Sequence, residues 1–176
     1  MSAPDATEEM FDVVDANDVI TGQAARRTVH ARGLRHRAVH VLVFNRVGEL
    51  FLQKRALSKD VAPGAWDSSA SGHVSAGEDY DACAVRELAE EIGLRVEATP
   101  ARWLRLVACE ETGREFVWVY RLAAEGPFTL HPDEIECGGW FTVAKVDRLL
   151  RENPSGVASS FRLIWRNLTE RGDLPR

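Results

Sequence analysis

Short apolar runs separated by polar, turn-forming residues occupy most of the chain and predict a sheet. FDVVD and VITGQ, divided by residues 16–18, predict one β-hairpin, and HVLVF and ELFLQKR, divided by residues 45–48, predict another. Further strands are predicted in WLRLVAC, EFVWVYRLA and WFTV. Apolar residues recur at helical spacing over residues 143–151 and 159–171. This order of elements favours an α/β or α+β fold, in which helices pack on a sheet.

One longer amphipathic segment, GHVSAGEDYDACAVRELAEEIGL at residues 72–94, predicts a helix with defined ends. Asp79 is a suitable N-cap because its carboxylate can accept hydrogen bonds from the first backbone amides. Gly93 suits the positive φ of the residue that follows a helix, so we expect the helix to run from residue 80 to 92. At about 100° per residue, one face is apolar and is expected to be buried; it carries Val85, Leu88, Ala89 and Ile92.

Three carboxylates crowd together on this helix. Glu87, Glu90 and Glu91 have i, i+3 and i+4 spacing, and we expect them on the face opposite the buried one. Exposed like-charged neighbours cost a few tenths of a kcal/mol per pair, so a compensating cation is expected. A hard divalent cation such as Mg²⁺ is suitable because it prefers carboxylate oxygens and keeps waters and phosphates in its other positions. An isolated glutamate pair would instead indicate only a solvated surface.

Composition and charge narrow the class of protein. The chain has 176 residues, of which 45% are hydrophobic and 28% charged, as is usual for one globular domain. We expect a flexible acidic tail at residues 1–9, with no signal peptide, and a single domain at residues 10–176. The net charge of -5 argues against nucleic acid as a partner. Three cysteines without ligand-like spacing indicate reduced thiols in a cytoplasmic protein, and no apolar run is long enough for a membrane span.

Seven positions of the amphipathic segment match a known signature. At a typical usage of ~7% per residue type, such a match would occur by chance about once in 10⁸ registers. The pattern resembles the Nudix hydrolase signature, G-x5-E-x7-R-E-U-x-E-E-x-G-U, in which U is aliphatic and is filled here by Leu88 and Leu94. The seven matched positions are Gly72, Glu78, Arg86, Glu87, Glu90, Glu91 and Gly93.

The resemblance implies an α/β/α sandwich around a mixed β-sheet, with the loop-helix-loop box at residues 72–94. It implies Mg²⁺ or Mn²⁺ held against a small-molecule diphosphate, and cleavage of a diphosphate linkage in a nucleoside diphosphate derivative or related organic diphosphate. Metal ions neutralise the anionic oxygens of a diphosphate and orient a water for attack. By position, Glu78 and Arg86 would support the metal ligands, which would be Glu87, Glu90, Glu91 and the Gly72 carbonyl.

The region before the box resembles a second group with the Nudix fold. RALSK at residues 55–59 and PGAWDSSASGH at residues 63–73 are similar to the corresponding segment of type I isopentenyl diphosphate isomerases. This resemblance implies that Arg55 and Lys59 bind the substrate diphosphate, as two nearby cations suit phosphate oxygens. The alternative is that both are solvated surface cations. Ser71 stands where the isomerases have a catalytic cysteine, and its hydroxyl has a far higher pKa than a thiol, which disfavours isomerisation.

The isomerase resemblance also implies a second, histidine-rich metal site. His36 and His73 match ligand positions, with His30 and Glu115 as looser matches, and imidazole and carboxylate are common metal ligands. Each histidine could instead be an ordinary hydrogen-bonded residue.

The general base lies outside the box in many Nudix hydrolases. In HPDEIECGGW we select Glu134, with Glu136, Glu110, Glu111 and Glu115 as alternatives. Three functions stay open: a metal-dependent Nudix hydrolase, an isomerase-like enzyme, and a catalytically silent binding module on the same fold. The oligomeric state is open as well, a homodimer included.

Overall fold

The computed structural model describes residues 8–175. Most of the expected tail, residues 1–7, lies outside the described residues. Glu9 at its end is fixed by an ion pair, since its carboxylate lies 3.1 Å from Arg26. In the described part of the chain, no helix is long and apolar enough to cross a membrane.

A mixed β-sheet forms the centre of the protein. The strands are β1 Met10–Val14, β2 Ile20–Ala25, β3 His36–Phe44, β4 Leu50–Arg55, β5 Trp66–Asp67, β6 Ala70–His73, β7 Ala101–Leu106, β8 Glu115–Ala123 and β9 Ile135–Phe141. The strand order in the sheet is β5-β4-β3-β8-β7, with β6 paired to β3 and β9 to β4. The strands β3 and β8 run parallel, and the other pairs are antiparallel. The strands β1 and β2 form a separate two-stranded hairpin.

Helices cover both faces of this sheet. They are α1 Arg26–Arg32, α2 Tyr80–Ile92, α3 Val143–Glu152 and α4 Ser159–Arg171. Successive residues of β3 point to opposite faces. Leu42 therefore shares one apolar core with Phe161 of α4, whereas Val41 shares the other with Leu88 of α2. The expected α/β/α sandwich around a mixed sheet is confirmed.

The predicted ends of α2 are confirmed, but its buried face is partly wrong. Asp79 Oδ1 accepts a hydrogen bond from Ala82 N at 2.8 Å, and Gly93 has a φ of 68°. The carboxylate face was expected to be exposed, yet Glu87 is 8% and Glu91 5% exposed; only Glu90 is solvated. The apolar side of the helix packs on the face of the sheet, and its acidic side packs on one strand of that sheet, β6. Helical periodicity cannot reveal that second contact. Val85 and Ala89 are only half-buried, whereas Cys83 and Ala84 lie in the core.

Other elements differ from the sequence prediction at their ends. Both hairpins, α3 and α4 are confirmed. The strand predicted in WFTV instead ends at Phe141, because Thr142 caps α3 by accepting a hydrogen bond from Lys145 N. The strand predicted in WLRLVAC ends at Leu106. The sequence reasoning did not identify α1, which carries His30.

Candidate active site

The acidic helix α2 and the loop before it border a cavity of about 590 Å³. The cavity is lined by α1, by the middle of β3, by β6, by the ends of β4 and β5, by the start of β8 and by the first turn of α4. Gly72 on β6 lies directly against Glu87: a Cβ at this position would be 2.7 Å from Glu87 Oε2 and closer still to Oε1 and Cδ. Only glycine therefore lets the sheet approach the carboxylate this closely.

Arg86 holds the carboxylates of the box in place. Its Nε and Nη2 atoms donate to the two oxygens of Glu78 at 2.8 and 2.9 Å. Its Nη1 atom donates to Glu87 Oε1 at 2.7 Å and to Glu90 Oε2 at 3.0 Å. Although burial opposes it, hydrogen bonds from Arg86 and from Ser75 N hold the pKa of Glu78 below its usual value. The planar guanidinium thus offsets part of the repulsion that the sequence left uncompensated.

Glu87 and Glu91 are buried carboxylates that the protein alone does not fully neutralise. Burial, together with the charges of Glu91 and Glu90, raises the pKa of Glu87 to about 8. Burial raises the pKa of Glu91 to about 7, even though Gln53 Nε2 and Ser71 N donate to it at 2.7 and 2.9 Å. A low-dielectric site favours the protonated form of a carboxyl group unless a cation is near.

The three expected metal-ligating glutamates of the box, Glu87, Glu90 and Glu91, each keep one carboxylate oxygen without a hydrogen bond inside residues 8–175. Arg86 occupies Oε1 of Glu87 and Oε2 of Glu90, and Gln53 and Ser71 occupy Oε2 of Glu91. The remaining oxygens belong to side chains that line the cavity. Carboxylate oxygens fixed on one side and open on the other fit a hard divalent cation.

Arg55 is not the exposed loop cation that the sequence suggested. It is the last residue of β4, and its side chain is 12% exposed. Its Nη1 atom donates to Asp67 Oδ2 at 3.3 Å, and its Nε atom donates to the Val61 carbonyl at 2.9 Å. Asp67 is 3% exposed, so this ion pair is part of the folded interior as well as of the cavity wall. A strand-to-strand pairing of this kind has no signal in local sequence.

Lys59 and Glu134 form an ion pair at the cavity wall. The backbone brings them together, because Ala56 N donates to the Glu134 carbonyl at 2.9 Å and Ser58 Oγ donates to the Asp133 carbonyl at 3.3 Å. Lys59, which was expected to bind the diphosphate, therefore pairs with Glu134, which was expected to act as the base. A diphosphate and Glu134 would compete for the ammonium group of Lys59.

The alternative bases occupy different surroundings. Glu136 pairs with Lys54 at 3.1 Å and does not line the cavity. Glu110 and Glu111 do line it, although Glu111 pairs with Arg166 at 3.0 Å. Glu115 belongs to the histidine cluster.

His30, His36 and His73 form that cluster. One ring nitrogen from each of them lies within 4.8 Å of the other two. Glu115 Oε1 lies 2.9 Å from His73 Nε2 and 3.5 Å from His36 Nε2. Although burial opposes it, the neighbouring imidazoles of His36 and His73 hold the pKa of Glu115 well below its usual range. The structure thus brings together all four residues that the isomerase resemblance suggested.

His36 has a ligand atom without a hydrogen-bond partner. Its Nδ1 atom lies 2.9 Å from the Leu34 carbonyl and must donate to it, so a neutral ring has no proton on Nε2. Nε2 is buried and makes no hydrogen bond within the described residues. A bare nitrogen facing a carboxylate fits either a metal ion or an added proton.

Several polar residues that line the cavity, or that contact a residue lining it, were not predicted from the sequence. His40 and Gln53 lie inside the apolar runs HVLVF and ELFLQKR, at positions where an apolar side chain would be ordinary. A buried polar residue in such a run was the available signal. His131 and Asp67 also line the cavity, and the local sequence around them gave no sign of their position.

Comparison with known proteins agrees with this geometry. Residues 34–162 match the model of the NUDIX domain, which spans well over half of the chain. The chain belongs to the Nudix family. An uncharacterized Nudix hydrolase of Streptomyces coelicolor, SCO1686, is 33% identical over 175 residues, which is 96% of each chain. The isopentenyl-diphosphate Delta-isomerase of Serratia proteamaculans is 31% identical over 92% of each chain.

Solved structures give the same result for the fold. DR0079 from Deinococcus radiodurans superposes with a TM-score of 0.80 at 26% identity, over 90% of this chain and 98% of that one. An Ap4A hydrolase of C. elegans has a TM-score of 0.55 at 19% identity, over 78% of this chain and 96% of that one, and supports the fold alone. These similarities, with the complete box, identify the enzyme class as a Nudix pyrophosphohydrolase.

Proposed function

We propose that the protein is a Mg²⁺- or Mn²⁺-dependent hydrolase of a diphosphate linkage in a nucleoside diphosphate derivative or related organic diphosphate. The observation that carries this proposal is the buried pair of carboxylates, Glu87 and Glu91, that faces the cavity beside Gly72. The cavity wall adds to it, since within residues 8–175 nine carboxylates but only four arginine or lysine side chains line it. An anionic diphosphate would be repelled from such a wall unless divalent cations were present.

The box residues would hold the metal. Glu87, Glu90 and Glu91 offer their open carboxylate oxygens and Gly72 its carbonyl, while Glu78 and Arg86 keep them in position. When bound, the divalent ion would neutralise the diphosphate and lower the pKa of a water. Ser71 N and Gln53 orient Glu91, so β4 and β6 position this ligand from the sheet.

Two cations would bind the diphosphate from the other side of the cavity. Arg55 presents a planar fork that stays anchored on Asp67, and Lys59 is a mobile point charge. When Lys59 turns to the diphosphate, it leaves Glu134, whose carboxylate is then able to accept a proton from the attacking water. In this scheme Glu134 is the general base.

A second metal site is proposed at His36, His73 and Glu115, with His30 as a further ligand. The unpaired Nε2 atom of His36 and the adjacent carboxylate support it. Imidazole with carboxylate favours Mn²⁺, Fe²⁺ or Zn²⁺ over Mg²⁺, which prefers oxygen alone. Metal bound here would fix the cavity wall beside Gly72, because His73 is the next residue of the box.

An isomerase-like activity is the second candidate. The histidine cluster and the 31% identical isomerase favour it. Ser71 at the cysteine position counts against it, because a serine hydroxyl is a poor group for reversible proton transfer. Conversion of isopentenyl diphosphate to dimethylallyl diphosphate by the wild-type protein would reverse this order. A silent binding module is the least favoured function, since binding alone gives no reason for the complete acidic box.

A hydrolysis panel tests the proposed function. Nucleoside diphosphate derivatives and simple organic diphosphates are incubated with Mg²⁺, with Mn²⁺ and with EDTA, and released phosphate or nucleotide is measured. We expect hydrolysis of at least one compound, none in EDTA, and recovery on adding metal. Glu91→Gln should lower kcat by about 10²-fold or more, as expected when a ligand of the reacting centre is lost.

Glu136→Gln is the matched control, because Glu136 pairs with Lys54 outside the cavity. Undiminished turnover after exhaustive chelation, or a Glu91→Gln protein with wild-type kcat, would contradict the proposal.

A further inference from the structure

His40 is a polar residue in the middle of the apolar strand β3. It is 4% exposed, and its neighbours Val39 and Val41 face the core under α2. Its own side chain points to the other face of the sheet, where it lines the cavity. Burying an imidazole costs free energy unless its nitrogens are hydrogen-bonded, so both nitrogens need a partner.

One nitrogen of His40 has its partner within the protein. Nδ1 lies 2.6 Å from Ser68 Oγ, whereas that hydroxyl is 3.4 Å from Asp67 Oδ1. Two arrangements fit these contacts: the hydroxyl donates to Nδ1 and the ring proton is on Nε2, or Nδ1 donates to the hydroxyl, which then donates to Asp67 Oδ1. Asp67 is satisfied without it, since Ser68 N and Arg55 Nη1 donate to its carboxylate at 2.8 and 3.3 Å. Burial lowers the pKa of His40, which favours a neutral ring with one proton. The arrangement that leaves Asp67 to Ser68 N and Arg55 puts this proton on Nε2, and the subsite proposed below requires it there.

The other nitrogen, Nε2, makes no hydrogen bond in the described part of the chain. Unlike His36 Nε2, it is not fully enclosed by protein atoms, and His40 lines the cavity. A buried side chain that directs a donor into a cavity, with no acceptor in the protein, indicates that a ligand supplies the acceptor.

The first turn of α4 lines the same cavity as His40. Ala158 N donates to the Trp66 carbonyl at 2.9 Å, one residue before the Asp67 that contacts His40. Ala158 is the N-cap of this 13-residue helix and has no side chain that could cap it. The amides of residues 159–161 find no acceptor within residues 8–175, and residues 158–160 line the cavity. The positive end of the helix therefore faces the same space as His40 Nε2.

We propose that His40 Nε2 and the first turn of α4 form an anion subsite for a phosphate or carboxylate group in the part of the substrate beyond the diphosphate. This inference rests on the proposed hydrolysis at the box. His40 is a substrate-binding residue that selects among diphosphates. Donors that converge on one space favour an anionic oxygen over a hydrocarbon, and the cavity volume of about 590 Å³ leaves room for more than a diphosphate.

The test compares diphosphates that differ by one remote anionic group. The pairs are NADP⁺ with NAD⁺, coenzyme A with dephospho-coenzyme A, and UDP-glucuronate with UDP-glucose; the last pair separates a carboxylate from a phosphate. The measured quantity is the ratio of kcat/KM within each pair, with Mg²⁺ present. For the wild-type protein we expect the anion-bearing member to be favoured by about 10- to 100-fold in at least one pair, as for one charged hydrogen bond.

Two variants separate a binding role of His40 from a structural one. His40→Asn keeps a polar atom near Ser68 but has no atom at the Nε2 position, so the ratio should fall to about 1–2. His40→Gln reaches the Nε2 position with an amide donor and should keep most of the preference. A preference that survives in His40→Asn, or equal rates within every pair for the wild type, would overturn the subsite.

Failure of the proposed function would be recognised separately. If no compound of any pair is hydrolysed with Mg²⁺ or Mn²⁺, the hydrolase assignment fails, and binding of the same pairs is measured by the rise in Tm. A larger rise for the anion-bearing member in the wild type, lost in His40→Asn, supports the subsite. Equal rises within each pair, or none, would overturn it.

Discussion

Replacing Gly72 with alanine examines the closest approach in the candidate site. The new Cβ would lie 2.7 Å from Glu87 Oε2 and closer to Oε1 and Cδ, whereas such atoms need at least 3.0 Å. The carboxylate of Glu87 must therefore move by about 1 Å, and a shift of this size in an active site can cost about 10²-fold in rate. Glu87 is 8% exposed, so it has little space into which to move.

The expected effects are separable. Forcing an extra methyl group into a packed position costs about 1–3 kcal/mol of unfolding free energy, and the Tm should fall accordingly. With Mg²⁺ and the best substrate of the panel, kcat should fall by about 10²-fold or more, and the concentration of metal that gives half-maximal activity should rise. Gly22→Ala is the matched control, because a Cβ on this glycine has no atom within 4 Å and its φ is not in the left-handed region.

A double variant decides whether the expected fall in Tm of Gly72→Ala has a steric cause. In Gly72→Ala/Glu87→Ala the clash is gone, so the Tm should recover relative to Gly72→Ala, while activity stays low because a proposed metal ligand has been removed. Wild-type kcat and metal dependence in Gly72→Ala would refute the reasoning. So would a fall in Tm that the second substitution does not relieve.

Further predictions concern the two cations, the base and pH. Arg55→Ala should lower the free energy of unfolding, measured by denaturant unfolding, by about 3–5 kcal/mol, because it leaves the buried Asp67 unpaired. Lys59→Ala should lower kcat/KM about 10- to 100-fold with little change in Tm, which kinetics and thermal unfolding check. Glu134→Gln should lower kcat but also KM, because Lys59 is released for the diphosphate; unchanged kcat would exclude Glu134 as base. Burial raises the pKa of Glu87 to about 8 and of Glu91 to about 7, so the folded state keeps protons that the unfolded state has lost above about 4.5. Stability in EDTA should therefore fall as pH rises from about 4.5 to 8, and Mg²⁺ should remove that slope; a Tm in EDTA that rises over this range would contradict it.

Local sequence was sufficient for the elements that depend on neighbouring residues. The ends of α2 follow from Asp79 and Gly93, whose capping geometry needs nothing from the rest of the chain. The box and the histidine positions came from resemblance to a known family, and the structure brings both groups of side chains to one cavity.

Long-range pairings were not accessible in this way. Local sequence cannot show that Arg55 is buried rather than a solvated surface cation, because its partner, Asp67, lies on another strand and is joined to it by the β4–β5 pairing. The burial of Glu91 depends on Gln53 and Ser71, which reach it from two strands. Periodicity reports how side chains divide around one helix, but not which other element covers its polar side.

The ion pair between Lys59 and Glu134 joins two roles that the sequence suggested separately. One ammonium group cannot neutralise both the Glu134 carboxylate and a substrate diphosphate. If Lys59 binds the diphosphate, arrival of substrate and release of the base are a single event, and the base stays occupied while the cavity lacks substrate. Because the backbones of residues 56 and 134 are hydrogen-bonded, the exchange needs only a rotation of side chains. The proposed base would then become available only when there is a bond to cleave.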